Sequence, residues 1–389
     1  MNEKLIIKNF GPIKDVELDL RKINIFIGDQ GTGKSTVAKV LYIVKNASNN
    51  HGGNLSLRKR GYEISDISEI NKYRNDEFRA DFIELLTSLD IYSYLNNASF
   101  INFSNSLCEV IIEGYEIQFK PKAQKDEDII NKNTNLNYYI PAFRESYILL
   151  RNNYPAILNA KANLPFLLNA LGQYFNNFRE KQLNFNYNSI LNVTYSFKNG
   201  RDIILLENGQ EITFEESSSA INSVVPMLVV TDGICKEMSQ GNYRVLYPYN
   251  QPFITIEEPE LNCFPLTQNE IIKHLIQKLT FNDNSDFLCN LLITTHSPYI
   301  LTSLNNLMYA YQVGQNSEVE VEQIIPSKYW VNPKEVSCYL LKDGKAELIM
   351  DYNEGMIKAE LLDGVSTLLN KEFDDLINIE IKIEELNVK

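Results

Sequence analysis

Gly28-Asp29-Gln30-Gly31-Thr32-Gly33-Lys34-Ser35 fits the pattern G-x-x-x-x-G-K-[ST], and its flanks are those the pattern needs. Before it, Ile23-Asn24-Ile25-Phe26-Ile27 is a short β-branched and aromatic run that reads as a buried strand. After it, Ser35 to Val44 spaces apolar residues helically at Val37, Val40, Leu41 and Val44. A glycine-rich turn between strand and helix lets bare backbone N–H groups close around a polyphosphate at the positive end of the helix. In such a loop Lys34 reaches the β- and γ-phosphates and the Ser35 hydroxyl ligates Mg²⁺. Gly28, Asp29, Gln30, Gly31, Thr32, Gly33, Lys34, Ser35 and Thr36 are therefore the candidate residues for ATP, with Mg²⁺ on Ser35.

Two more segments extend the reading from binding to chemistry. Pro252-Phe253-Ile254-Thr255-Ile256-Glu257-Glu258-Pro259-Glu260 is a buried-strand run ending in paired carboxylates. The first, Glu257, suits the Mg²⁺ shell, and the second, Glu258, suits orienting and deprotonating an attacking water. Leu291-Leu292-Ile293-Thr294-Thr295-His296-Ser297-Pro298 is another strand followed by a polar turn. The chain has three histidines (His51, His274, His296), and His296 sits directly after this strand, where an imidazole can donate to a γ-phosphate.

The order GDQGTGKST, IEEPE, TTHSPYIL resembles the ABC-type ATPases of the RecF, structural-maintenance and OLD group. It most resembles their compact, bacterial, single-chain members that serve as phage-defence ATPases, such as those of the Septu, PARIS and OLD systems. Leu5-Ile6-Ile7-Lys8-Asn9-Phe10-Gly11-Pro12-Ile13 resembles the group's first strand, which implies Asn9 and Phe10 beside the nucleotide base. Tyr139-Ile140-Pro141-Ala142-Phe143-Arg144 resembles a recurrent I-P-A-E-R element, with Phe143 in place of the usual acid, and adds Arg144 to the nucleotide-site candidates. The resemblance implies an ABC-type P-loop head with a mixed β-sheet, and it covers residues 1–45 and blocks between about 105 and 350. It also implies a sandwich in which one chain's phosphate loop faces a signature segment of another. The best match to the S-S-G-x-Q signature is Ser218-Ser219-Ala220-Ile221-Asn222-Ser223, so Ser218, Ser219 and Asn222 join the candidates. Ala220 replaces a glycine whose missing Cβ allows close approach, and Asn222 is one methylene shorter than glutamine.

The implied function is an ATP-binding and ATP-hydrolysing switch, at least dimeric, that gates a separate effector such as a nuclease in antiviral defence. Two alternatives stay open: a RecF-like DNA-repair ATPase, and a scaffold that binds ATP with little hydrolysis. A net charge of −13 argues against a protein that coats nucleic acid. Arg58-Lys59-Arg60 with Lys72, Arg74 and Arg79 is the densest cationic stretch, but interleaved acids make it read as a solvated helix face. The last 45 residues carry 11 acids and 5 lysines, an exposed acidic end. Asp283, Asp286 and Asp374-Asp375 do not form a D-x-D metal arrangement, so no nuclease centre is expected. Five scattered cysteines read as free thiols of a reducing cytoplasm, and no run of 18 apolar residues or signal peptide is present.

The 389 residues read as one α/β ATPase domain, with 44% hydrophobic content sufficient for a large core. Residues 1–45 are expected to give two strands, the loop and its helix. A polar, Asn-rich helical insertion is expected over 46–100, with a helix from Asp76 to Leu89. A hairpin follows over 107–119 across Glu113-Gly114. A short helical arm is expected over 145–185, broken by Pro155 and Pro165. An antiparallel β-meander spans 190–214, turning at Asn199-Gly200 and Asn208-Gly209. Past Pro298 a helix and short strands are expected, among them Val319–Ile325 and Ser337–Leu341.

Overall fold

The computed structural model describes residues 3–51, 67–106, 108–122, 137–160, 164–181, 184–239, 252–280 and 289–358. The basic stretch Arg58-Lys59-Arg60, Asp283, Asp286 and the acidic end beyond 358 lie outside the described residues. Three strands open the chain where two were expected: β1 (Glu3–Phe10), β2 (Ile13–Leu20) and β3 (Ile23–Ile27). β2 alternates cleanly, with Val16, Leu18 and Leu20 buried and acids between them, as one face of an antiparallel pair requires. β4 (Phe100–Ser104), β5 (Cys108–Glu113) and β6 (Glu116–Pro121) follow, then β7 (Asn137–Ile140). The β5–β6 register pairs Glu113 with Glu116, so the turn is Gly114-Tyr115, one residue later than expected. The meander is β8 (Asn184–Tyr187), β9 (Val193–Lys198), β10 (Arg201–Leu206) and β11 (Glu211–Ile212). Its turns fall at Asn199-Gly200 and Asn208-Gly209, where Asn199, Gly200 and Gly209 take positive φ. The last large strands are β12 (Phe253–Glu257), β13 (Asn290–Thr295), β14 (Val336–Lys342) and β15 (Lys345–Leu348).

Among the described residues the strands form an eleven-stranded mixed sheet in the order β6-β5-β4-β1-β2-β15-β14-β3-β13-β12-β7 and a four-stranded sheet β11-β10-β9-β8. In the large sheet, β14, β3, β13, β12 and β7 run parallel. The register pairs Ile27 with Thr295 and Leu340, Thr294 with Glu257, and Ile256 with Ile140. All five carboxyl ends therefore stand level on one edge, which is where an open parallel sheet carries its ligand crevice.

Among the described residues six long helices cover the sheets: α1 (Lys34–His51), α2 (Ile67–Ser88), α3 (Phe166–Lys181), α4 (Ser219–Ser239), α5 (Pro265–Thr280) and α6 (Pro298–Gly314). The two-residue period of β3 sends Ile23, Ile25 and Ile27 to the core under α4, α5 and α6, and Phe26 to the core under α1 and α2. α1 runs through His51, well past Val44, because Tyr42, Ile43 and Ala47 continue its buried face. Pro165 immediately precedes α3, and Pro155 sits in the first turn of a short helix, Tyr154–Asn159, where its missing N–H is no loss. Val319–Ile325 is not a strand: Glu318–Glu322 is helical, with Val321 N donating to Ser317 O at 3.1 Å and Ile325 N to Val321 O at 2.8 Å. The β-branched alternation there has no sheet to join, and Val319 and Ile324 stay 71% and 80% exposed. All five thiols are unpaired.

α2 is locked to the antiparallel half of the sheet by a ring stack, Phe82 on Phe78 at 6.0 Å and Phe78 on Phe119 at 5.1 Å, with all three rings buried. Phe82→Ala should lower stability by about 3–5 kcal/mol through lost transfer energy and a cavity, read as a shift in urea midpoint.

Candidate nucleotide site

The phosphate loop spans the step from β3 to α1 at the level edge of the sheet. Gly28, Gly31 and Gly33 have φ of 154°, 76° and 97°. A Cβ on Gly28 would stand 2.2 Å from Leu341 O, and one on Gly33 would stand 2.4 Å from Ile13 Cδ1. Glycine is thus required by backbone contact at Gly28 and by conformation at Gly33, where the neighbour is the tip of a side chain, whereas Gly31 faces open space. Thr32 Oγ1 donates to Asp29 O at 2.9 Å and Val37 N to Gly33 O at 2.9 Å, which closes the loop and starts the helix. Asp29, Gln30, Gly31 and Ser35 are exposed, while Lys34 and Thr36 are buried.

Lys34 folds back onto its own loop, its Nζ donating to Gly28 O at 2.7 Å and Asp29 O at 2.8 Å. Its third neighbour is His296 Nδ1 at 3.4 Å. Burial pushes the ammonium below its ordinary pKa, against the opposing pull of Glu258, Asp29, Glu260 and Glu257. An ammonium only donates, so Nδ1 accepts, and the proton of a neutral imidazole sits on Nε2. Nε2 lies 3.5 Å from Glu258 Oε1. Lys34, His296 and Glu258 therefore form a line across β3, β13 and β12.

The two acids of β12 are held differently. The strand period puts Glu257 on the α1 face with Phe253. There its Oε1 accepts from Tyr139 OH at 2.7 Å and its Oε2 from Ala142 N at 3.1 Å. Glu257 is 4% exposed, and a carboxylate holding two such bonds keeps lone pairs free for a further donor or cation. Glu258 ends the strand in a left-handed turn with φ 46°, a strain on the order of 1–3 kcal/mol for a residue with a Cβ. Three hydrogen bonds fix it: Glu258 N to Thr294 O at 2.8 Å, Leu261 N to Glu258 O at 3.1 Å, and Arg144 Nη2 to Glu258 O at 2.7 Å. The turn throws the Glu258 carboxylate towards His296 and leaves it partly exposed.

Arg144 is wholly buried, and burial pulls its guanidinium down to about 10. Nε donates to Ser223 O at 2.7 Å, Nη1 to Glu257 O at 2.7 Å and to Pro141 O at 3.3 Å, and Nη2 to Glu258 O. Its donors thus end on carbonyls of its own turn, of the acid segment and of α4 near its start, and the head is enclosed rather than open to a ligand. Phe10 is likewise wholly buried, edge-on to Tyr94 at 5.8 Å, and so presents no ring face at the surface. Asn9 is exposed at φ 50°, its carbonyl clamped by Ser99 Oγ at 2.8 Å and Asn96 Nδ2 at 3.0 Å. The adjoining Pro12 and Ile13 side chains pack beneath Gly33, which puts this turn beside the phosphate loop.

Ser218, Ser219 and Asn222 stand apart from this cluster. Ser218 and Ser219 are exposed at the start of α4, where Ser218 Oγ accepts from Ile221 N at 3.4 Å. Asn222 Oδ1 accepts from Ser217 Oγ at 3.0 Å. Their hydrogen bonds stay within the segment, and Arg144 bonding Ser223 O is what ties that segment to the acid loop. Residues not singled out in the sequence also shape the site: Tyr139 orients Glu257, and Glu260 accepts from Thr295 Oγ1 at 2.6 Å and His296 N at 3.0 Å. Glu260 was visible as a third acid after the pair, whereas Tyr139 entered only as the residue ahead of the I-P-A-E-R-like element.

The loop's positive-φ glycines, exposed turn and buried lysine fit a polyphosphate, and Ser35 with Glu257 offers the oxygen ligands a Mg²⁺ ion takes. Among the described residues no cluster of three or more His, Cys, Asp or Glu side chains could hold a metal by itself, and no helix is long and apolar enough to cross a membrane.

The chain is similar in arrangement to the SMC head domain from Thermotoga maritima (9% identity, 90% of this chain and 99% of that one, TM-score 0.41). It is similar also to an Smc head domain with an extended coiled coil bound to the C-terminal domain of ScpA, derived from Pyrococcus furiosus (10% identity, 95% and 98%, TM-score 0.38). A third likeness is to the recombination mediator RecF (10% identity, 90% and 98%, TM-score 0.35). Resemblances this distant bear on no residue or activity. No curated protein matches the chain. The phosphate loop follows β3, the acids follow β12 and the histidine follows β13 of one mixed sheet. The AAA ATPase domain profile matches residues 1–223, more than half of the 389-residue sequence, and the chain belongs to the AAA ATPase domain family.

Proposed function

We propose that the chain is an ATP-binding and ATP-hydrolysing switch in which two copies close on one another. The observation that carries this reading is the line Lys34–His296–Glu258 drawn across three parallel strands beside the phosphate loop. Gly28 to Thr36 would hold the phosphates through backbone N–H groups, and Lys34 would exchange its loop carbonyls for phosphate oxygens. Mg²⁺, held by Ser35 and Glu257, would supply positive charge against the phosphate oxygens. Glu258 would take the proton of the attacking water, and His296 would donate its Nε2–H toward the γ-phosphate. Asn9 remains a candidate contact to the base, whereas Phe10 and Arg144 would act from inside the protein, Arg144 by fixing the Glu258 carbonyl.

The exposed Ser218 and Ser219 hydroxyls at a helix N-terminus suit a γ-phosphate presented by a second copy. Asn222 would be the third member of that segment. Hydrolysis would then loosen the pair, because the phosphate bridges it. The finer reading, a cytoplasmic switch gating a separate effector such as a nuclease in phage defence, is supported by motif resemblance alone. Ala220 and Asn222 favour one second reading, an ATP-bound scaffold with little turnover.

Lys34→Ala should abolish ATP binding by calorimetry, while Glu258→Gln should bind normally and lose about 100-fold or more in kcat. Equal turnover in Glu258→Gln and wild type would rule out the base assignment. In light scattering with Mg-ATP, Glu258→Gln should gain mass and hold it, whereas Ser218→Ala/Ser219→Ala in that background should remain unassembled. Unchanged assembly in the serine variant would remove the signature from the interface, and one constant mass in every condition would favour the scaffold.

A further inference from the structure

Glu260 belongs to the acid loop by sequence but to the histidine turn by bonding. One oxygen, Oε1, accepts both Thr295 Oγ1 at 2.6 Å and His296 N at 3.0 Å. Thr295 Oγ1 accepts in turn from Ser297 N at 2.9 Å, and Ser297 Oγ donates to Gln268 Oε1 at 2.6 Å. Gln268 Nε2 donates to Cys263 O at 2.9 Å, three residues beyond Glu260. The bonds form a closed circuit from the acid loop, round the turn that carries His296, and back to the acid loop through α5. The imidazole itself has looser polar neighbours, Lys34 at 3.4 Å and Glu258 at 3.5 Å. Its direction is therefore set mainly by its main chain, and Glu260 holds that main chain at the residue in question.

We propose that Glu260 is the positioning residue of His296, fixing the imidazole between Lys34 and Glu258 by accepting the His296 N–H and the neighbouring Thr295 hydroxyl on a single carboxylate oxygen. The inference rests on the reading of His296 given above. A charged acceptor makes such bonds short and directional. The second oxygen, Oε2, is buried and has no hydrogen-bond partner. The hydrogen bonding of the side chain is thus done by one acceptor atom, beside the negative charge it sets near Lys34 and Arg144. A glutamine, whose amide oxygen can accept both donors, should replace it, and an alanine should not.

The test is steady-state ATP turnover of the full chain carrying Glu260→Ala, Glu260→Gln, Thr295→Val, His296→Ala or the double Glu260→Ala/His296→Ala, with folding checked by thermal melts. Glu260→Ala and Thr295→Val should lower kcat by about 10-fold or more with KM within about 2-fold, the pattern of a lost transition-state contact. Glu260→Gln should stay within about 3-fold of wild type. The double variant should match His296→Ala, because residues acting through one group are non-additive. Thr295→Val cuts the same circuit without changing a residue of the acid loop, so it decides the matter if Glu260→Ala does not fold. A Glu260→Ala loss that multiplies on the His296→Ala background, or a Glu260→Gln as slow as Glu260→Ala, would overturn the proposal. Wild-type turnover in His296→Ala would overturn the reading of His296 itself. An impaired His296→Ala beside a fully active Glu260→Ala would overturn the positioning role alone.

Discussion

The parallel register of β3, β13 and β12 is the constraint on which the site depends. Main-chain pairing sets Ile27 opposite Thr295 and Thr294 opposite Glu257, so the phosphate loop, the histidine turn and the acid loop all leave the sheet at one level. A slip of one residue would turn each strand's side chains to the other face. Glu257 would leave the α1 face, and Ile254 and Ile256 would leave the core beneath α4 and α5. Burial of both faces of these strands forbids that slip, so the same apolar alternation that builds the core also aligns the chemistry.

A level edge alone would not aim the side chains. Glu258 reaches His296 only because its backbone is bent to a positive φ, and a bend of that kind persists where its surroundings over-determine it. The buried guanidinium of Arg144 does much of this, satisfying carbonyls of Glu257, Glu258 and Ser223 at once. Such a charge is tolerated in the interior because its donors are met, and removing it would take a hydrogen bond from each of those carbonyls. One side chain thereby joins the start of α4 to the acid loop, while Glu260 joins that loop to the histidine turn. The site behaves mechanically as one piece whose segments come from far apart in the chain.

The arrangement of Lys34 follows from electrostatics. A buried ammonium needs acceptors, and the loop's own carbonyls at Gly28 and Asp29 supply them. Burial works against the charge while the surrounding carboxylates support it. A ligand bearing several negative oxygens can replace those carbonyls without asking the lysine to travel far, and the neighbouring His296 would feel the exchange through its Nδ1.

The sequence by itself determined the local chemistry: a strand, a glycine loop with Lys34-Ser35 and a helix; paired acids at a strand end; His296 after another strand. These were legible because each depends on neighbours within about ten residues. The meander turns were legible for the same reason, since Asn-Gly pairs accept positive φ. Only the tertiary structure decided what lies between segments. The resemblance put Phe10 and Arg144 at the nucleotide, but packing buried the first against Tyr94 and bound the second to main-chain carbonyls. Val319–Ile325 alternated like a strand yet met no sheet edge, and local helical bonds won. Glu260 was given no role by the sequence, and only β13 coming alongside β12 brought it the donors it binds. A carboxylate's role depends on which donors reach it, and those donors sit some 35 residues away in sequence.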